Sequence, residues 1–369
     1  MVSVNRNLMI VMNLFLIGLH FMSGCNEYNE DIDTELTDIS AFVVTTDFQT
    51  GSFSTITLGS PHVLTSDIDT ICPDAISRSW NGLIYIVGRY SCDSIQVLNP
   101  SENFSLFSEY SVGAGTNPQD IVVIKQEKAY ISRLAAPQLL VVSPNSGQVL
   151  KEIDLSEYAD ADGLPELYTM YYLEDYHLLF IAVQRLDTTT YLNVAPSYVI
   201  VLNTETDEIE KVITLESINP FTEFIFVEES EKLLIGCNGL YGALDGGIEV
   251  IDILSLESEG LLVNESNLGG DILDFDYRKN IGYVLISDLE FNTRVLTIDM
   301  ETGAIGAPLL ETAGFFLNNV AINDRDELWI LDRSPLLSGI HIFDALDRSF
   351  LEKINLSGLP PFWISFIAE

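Results

Sequence analysis

Basic residues are scarce in this sequence: 17 Lys and Arg stand against 55 Asp and Glu, a formal charge of −38. A surface of that sign repels phosphate backbones and anionic lipid headgroups, which excludes nucleic acid as a partner. It favours solubility, cations and basic partners. Histidine is thin too, with four residues, and His62, His177 and His341 fall in different repeats of the chain. No HExxH, CxxC or Gly-x-Ser-x-Gly is present, so metalloprotease, dithiol-redox and hydrolase readings have no anchor. Carboxylates are too numerous to nominate an acid–base pair. Helical periodicity is nearly absent, which turns attention to strands.

What is there is a large apolar inventory, 47% hydrophobic and 10% aromatic, enough to exclude disorder for most of the chain. Residues 1–24 read as a leader. Arg6 precedes an apolar run from Leu8 to Phe21, too short to span a bilayer and of the length of a signal h-region. The run closes on Met22-Ser23-Gly24-Cys25. That tetrapeptide resembles the lipobox of bacterial lipoproteins, with Met22 where the family usually has Leu. The resemblance implies that Cys25 is acylated and becomes the new N-terminus, and each buried methylene of the lipid contributes about 0.8 kcal/mol to anchoring. Residues 25–40 then read as an acidic tether carrying Glu27, Glu30, Asp31, Asp33, Glu35 and Asp38. Asn26 is not the Asp that marks inner-membrane retention in enteric bacteria. The expectation is an exported, lipid-anchored protein at the outer membrane, on its periplasmic or its outer face.

The remainder, 41–369, repeats. Phe42, Tyr85, Tyr130, Phe180, Leu234, Tyr283 and Trp329 each centre a short apolar strand, at steps of 43, 45, 50, 54, 49 and 46 residues. A partner strand follows each, as in Ser94–Asn99, Tyr198–Asn203, Gly247–Asp252 and Gly339–Asp344, and ends on a turn-forming polar residue. The strands are apolar on both faces, as sheets packed between two neighbours must be. A step near 45 residues is the period of a four-stranded propeller blade. The fold class is therefore all-β, a seven-bladed β-propeller. Nothing strand-like precedes Ala41, while Pro361–Ala368 supplies one strand too many for the last blade. One-plus-three closure by this C-terminal strand is the expectation, since it removes an open seam of unpaired edges.

These repeats resemble those of the YVTN-type (YncE-like) propellers over 41–369, although no blade carries the literal Tyr-Val-Thr-Asn. Ile131-Ser132-Arg133 and Thr45-Thr46-Asp47 stand in its place. The resemblance implies a fold and an exported setting, and no particular reaction.

Ligands of propellers gather at one channel mouth, built from the loops into the innermost strands and those joining second to third strands. Cys72 and Cys92 flank the second blade on that face, and a disulfide of this loop length is worth about 3 kcal/mol. Free thiols or metal ligation are the other readings. Arg89, Arg133, Arg185 and Arg333 recur at the ends of second strands, with Asp74, Asn117 and Asp120 in neighbouring loops. They are either a ligand site with Arg forks for anionic groups or a set of Arg–carboxylate pairs locking the loops. Asp160, Asp162 and Glu166 surround Gly163, which suits a Ca²⁺ ion or a loop held by Asp side-chain turns. Phe221, Phe315, Phe316, Phe362 and Trp363 either grip a glycan or peptide or plug the core. Cys237 reads as a buried thiol.

The reading is a monomeric, non-enzymatic binding module of the cell envelope, with a protein or small-molecule ligand at the channel mouth and membrane contact through the lipid. The alternative is an envelope enzyme of lactonase- or lyase-like propeller type, using a metal held by mouth carboxylates.

Overall fold

The computed structural model describes residues 39–57, 59 and 61–367. The leader, Cys25 and most of the acidic tether lie outside the described residues. The first described strand starts at Ile39, two residues before the boundary read from the sequence.

Seven four-stranded antiparallel sheets are formed by the described residues. The innermost strands, numbered here as blades 1 to 7, are Pro361–Phe366, Ala75–Trp80, Pro118–Lys125, Leu167–Leu173, Pro220–Val227, Asp271–Arg278 and Leu317–Ile322. They touch one another in that order around a ring, and the seventh touches the first. In blade 1 the strand order is Pro361–Phe366, Ile39–Thr46, Gly51–Thr57 and Leu64–Ile71. Phe42 pairs with Ser365 on one side and Thr55 on the other.

The repeat residues explain the ring. Along a strand, alternate side chains leave opposite faces, so a strand apolar at every position feeds two neighbours. Ile84 and Ile86 pack toward blade 1, while Tyr85 and Val87 pack toward blade 3. The same alternation yields seven apolar clusters, one between each pair of adjacent blades. Tyr85, Tyr130, Tyr283 and Trp329 are fully buried.

Buried hydroxyls need partners, and the tyrosines find them in the next blade. Tyr85 Oη donates to Asn145 Oδ1 at 2.9 Å, Tyr130 Oη to Asp207 Oδ1 at 2.5 Å, and Tyr283 Oη to Ala345 O at 2.8 Å. The polar residue ending each third strand has a local cause. Asp299 Oδ1 accepts from the amides of Glu301 and Thr302, and Asp252, Asn203 and Asp344 do the same in their own turns. Such side-chain turns satisfy amides that the ladder abandons.

Candidate functional site

The innermost strands begin at one face, and each places a residue of its opening turn around the axis. Ile76, Gln119, Tyr168, Phe221, Leu273, Asn318 and Phe362, one per blade, line a cavity of about 160 Å³. Arg78, Arg89, Glu223, Asp274, Asn319 and Trp363 complete its wall. An apolar cavity of about 150 Å³ accommodates a benzene-sized molecule, so this one has room for a single ring or a short chain. Tyr168 and Phe221 stack with centroids 5.8 Å apart. The Arg78 guanidinium lies 5.3 Å over the Trp363 ring, and that of Arg89 5.6 Å over Phe362.

Irregular pairing explains why acids sit here. Every inner strand but that of blade 2 is irregular near its start, at Pro361/Trp363, Pro118/Asp120, Leu167/Met170, Pro220/Phe224, Ile272/Asp274 and Leu317/Asn319. A bulge leaves an amide without its ladder partner, and a carboxylate from the preceding blade accepts it. Asp120 Oδ2 takes the amide of Met170 at 2.9 Å, and Asp274 Oδ2 that of Val320 at 2.9 Å. Asp276 Oδ2 takes Ile322 N at 2.6 Å in the same way. These side chains clamp blade to blade.

Charge is unevenly matched. Arg78 Nε donates to Asp120 Oδ1 at 2.7 Å, and its Nη1 reaches across the ring to Glu223 Oε1. Burial opposes the Arg78 charge, yet Asp120 and Glu223 outweigh it and hold the guanidinium above its ordinary pKa. Arg89 is held by Asp74 through Nε at 3.0 Å. Among the described residues no cation stands against Asp274. Burial, reinforced by Glu223 and Asp276, pushes its carboxyl well above the usual range. Burial likewise raises Glu223, with Arg78 opposing, and raises Asp276 to about 7.

Two amides belong to residues of the cavity wall. Asn319 Nδ2 donates to Asp274 Oδ2 at 2.6 Å, and Asn318 Nδ2 to the Phe362 carbonyl at 2.5 Å. Each nitrogen is on the side where an acceptor requires it, which fixes where the oxygen points. Both Oδ1 atoms are buried and have no hydrogen-bond partner among the described residues. Asn319 is 4% exposed.

The residues singled out from sequence do not converge. Arg89 reaches the central cavity with Asp74 as its partner, and Asp120 stands behind the wall, committed to Arg78, the Thr169 hydroxyl and backbone amides. The other three arginines correct the expectation of either anion forks or carboxylate pairs. Arg133 donates to the carbonyls of Val112 and Gln138, Arg185 to those of Pro196 and Ala159, and Arg333 to those of Pro361 and Thr46. Strand ends at the channel face expose unpaired carbonyls, and a five-donor fork satisfies two at once. Asn117 lies instead beside a rim hollow, with Tyr90, Leu164, Glu166, Leu186 and Tyr191.

Asp160, Asp162 and Glu166 form a braced loop. Asp160 Oδ1 accepts from Asp162 N, Asp162 from the amides of Leu164 and Thr188, and Glu166 Oε2 from Leu186 N. Burial, aided by Asp162 and Asp160, pushes Glu166 up to about 8. Among the described residues no three His, Cys, Asp or Glu side chains gather as a metal site, because these carboxylates are turned to backbone amides. Cys72 and Cys92 form a disulfide, and Cys237 is a buried free thiol. Of the five aromatics, Phe221, Phe362 and Trp363 line the cavity, while Phe315 and Phe316 do not.

Sequence reasoning missed Arg78, Glu223, Asp274, Asn318 and Asn319. One signal was available. Arg78 and Asp274 are charged residues inside strands otherwise built to be buried, and such charges require a partner or a role.

No family model matches the chain, and no curated protein matches it in sequence. Solved structures do match in shape. A putative 6-phosphogluconolactonase from Bacteroides fragilis aligns with a TM-score of 0.65 at 12% identity, covering 92% of this chain and all of that one. Another protein of the same description from Bacteroides uniformis gives 0.65 at 11% identity, over 90% of this chain and all of its own. A functionally unknown protein from Desulfotomaculum acetoxidans gives 0.57 at 10% identity, over 89% of this chain and 98% of its own. At these identities the likeness is one of fold, the β-propeller.

Proposed function

We propose that this chain is a non-enzymatic binding module of the bacterial cell envelope. In this reading it is exported, held at the outer membrane by a lipid on Cys25, and takes a small ligand in the central cavity. One observation carries the ligand reading: a cavity lined by one residue from each blade sets two stacked aromatic rings beside two guanidiniums and the half-open Glu223 carboxylate. Arg78, Asp120 and Asp274 are engaged in holding neighbouring blades, which supports a wall that serves binding.

The rival reading is a lactonase, after the description of two structural neighbours. A phosphorylated lactone needs free cations for its phosphate. Both guanidiniums here are already held, by Asp120 and Glu223 and by Asp74, in a protein of charge −38. Two measurements test the proposal. Native mass spectrometry of the purified chain against a pool of small polar metabolites should return a bound species that Glu223→Gln loses, while lactone turnover should stay at the uncatalysed rate. Lactone hydrolysis abolished by that same substitution would replace the proposal with the enzyme reading. For the anchor, Cys25→Ser should move the protein from the membrane to the soluble fraction.

A further inference from the structure

We infer that the loops around the channel mouth form a docking surface for a basic protein, which seats an apolar side chain between Tyr90 and Tyr191. The site lies outside the central cavity and goes beyond the binding reading above. Seven loops join second strands to third strands, all at the face where the innermost strands start. Six of them expose a large apolar side chain: Phe48, Tyr90, Tyr191, Tyr241, Phe291 and Leu336, in blades 1, 2, 4, 5, 6 and 7. Leu336 is 94% exposed, Tyr191 75% and Tyr90 73%. Tyr241 and Phe291 stack on each other with centroids 6.1 Å apart. Single exposed apolar residues need no account, but a circle of them on one face marks an interaction surface. The loop of blade 3 carries the smaller pair Leu134 and Ala135. There a hollow of about 380 Å³ opens, lined by Tyr90 and Tyr191 together with Leu134, Leu164 and Leu186.

Charge selects the occupant. None of these seven loops carries an exposed lysine or arginine. The arginines at their edges are spent inside the fold, Arg89 on Asp74 and Arg133, Arg185 and Arg333 on backbone carbonyls. The charges this face does open to solvent are negative, those of Asp47, Asp162, Glu216, Asp245 and Glu290. Apolar anchors set among free carboxylates complement a partner whose apolar side chains are flanked by lysine or arginine. A second copy would bring the same acids against them, at −38 per chain. A bilayer fits no better. The acids repel anionic headgroups, and the chain enters the ring at the opposite face: Thr45 pairs with Pro361 at the mouth, whereas Ala41 pairs with Phe366 at the far end. A lipid anchor ahead of Ile39 therefore pulls on the side away from these loops.

The test places the full lipidated chain in phosphatidylcholine nanodiscs and offers it short synthetic peptides. One is built of tryptophan and lysine, a second has glutamate for every lysine, and a third has serine for every tryptophan. Biolayer interferometry should show the first binding and the other two silent. Tyr90→Ser combined with Tyr191→Ser should weaken that binding about tenfold or more, the loss of an interface anchor. Both side chains are exposed, so the fold should survive, and melting curves check it. Phe107→Ser, at an exposed site on an outermost strand, and Glu223→Gln in the central cavity should leave the affinity unchanged. Equal binding of either control peptide, or silence from all of them, overturns the inference. So does an equal loss in Phe107→Ser. A loss in Glu223→Gln moves the peptide to the central cavity, overturning the docking face while the cavity reading stands. Chains that pair in sedimentation, and separate on the double substitution, assign the face to a second copy. Quenching of Tyr191→Trp by brominated lipid in the disc assigns it to the bilayer. Either result overturns the basic partner.

Discussion

Removing the Arg78 guanidinium would leave Asp120, which is fully buried, with backbone amides and no counter-charge. Breaking a buried pair from one side costs about 3–5 kcal/mol. Arg78→Met should therefore lower the urea midpoint strongly, while Arg89→Met, whose partner Asp74 is part-exposed, should cost about 1 kcal/mol or less. Equal losses from the two would contradict the account of the wall given above. Arg89 and Asp120 were legible in the sequence because the repeat puts them beside predictable loops. Arg78 was not, because its partner Glu223 is 145 residues away, across a ring whose diameter no local pattern encodes. Asn318 and Asn319 stand at a strand start, and nothing in the sequence marks their bonds to the Phe362 carbonyl and to Asp274.

At the scale of strands and turns the sequence was far more legible. Second and third strands fell where the apolar repeats placed them, since two-faced burial writes a dense hydrophobic signal. Bulges near the starts of innermost strands left no such mark, and with them went the carboxylate clamps. The tyrosine bridges yield a direct test. Tyr130→Phe keeps the packing but strands Asp207 Oδ1 on Lys128 alone, and should cost about 1–2 kcal/mol. Chemical denaturation decides it, and no loss would mean the bridge is idle. The disulfide gives a second test. Cys72→Ser with Cys92→Ser opens a loop of 20 residues, worth about 3 kcal/mol in the chain-entropy model. Reduction of the natural chain should lower its melting temperature equally.

For the molecule as a whole, titration above pH ~5 is set by buried carboxylates, because those held below their ordinary values, Asp252 and Asp332 among them, have ionised by then. Burial raises Glu166 to about 8, and Glu265 and Asp276 to about 7. Their unfolded values lie near 4, so between these limits the folded chain binds more protons than the unfolded one. Stability from these groups is full below pH ~4 and is lost as pH rises through 7 to 8. Self-repulsion at a charge of −38 acts in the same direction. The denaturation midpoint should accordingly be higher at pH 5.5 than at pH 8.5. Glu166→Gln, which keeps an acceptor for Leu186 N, should flatten that slope; a midpoint that climbs with pH would refute the assignment.

The place of Ile39–Thr46 has a mechanical side. It is hydrogen-bonded along both edges, to Gly51–Thr57 and to Pro361–Phe366. Tension pulling on the chain ahead of Ile39 therefore meets two ladders of bonds at once. A free margin would peel one rung at a time; a strand gripped from both sides must lose both sets of rungs together. A protein pulled at its head would then resist with the strength of its tail.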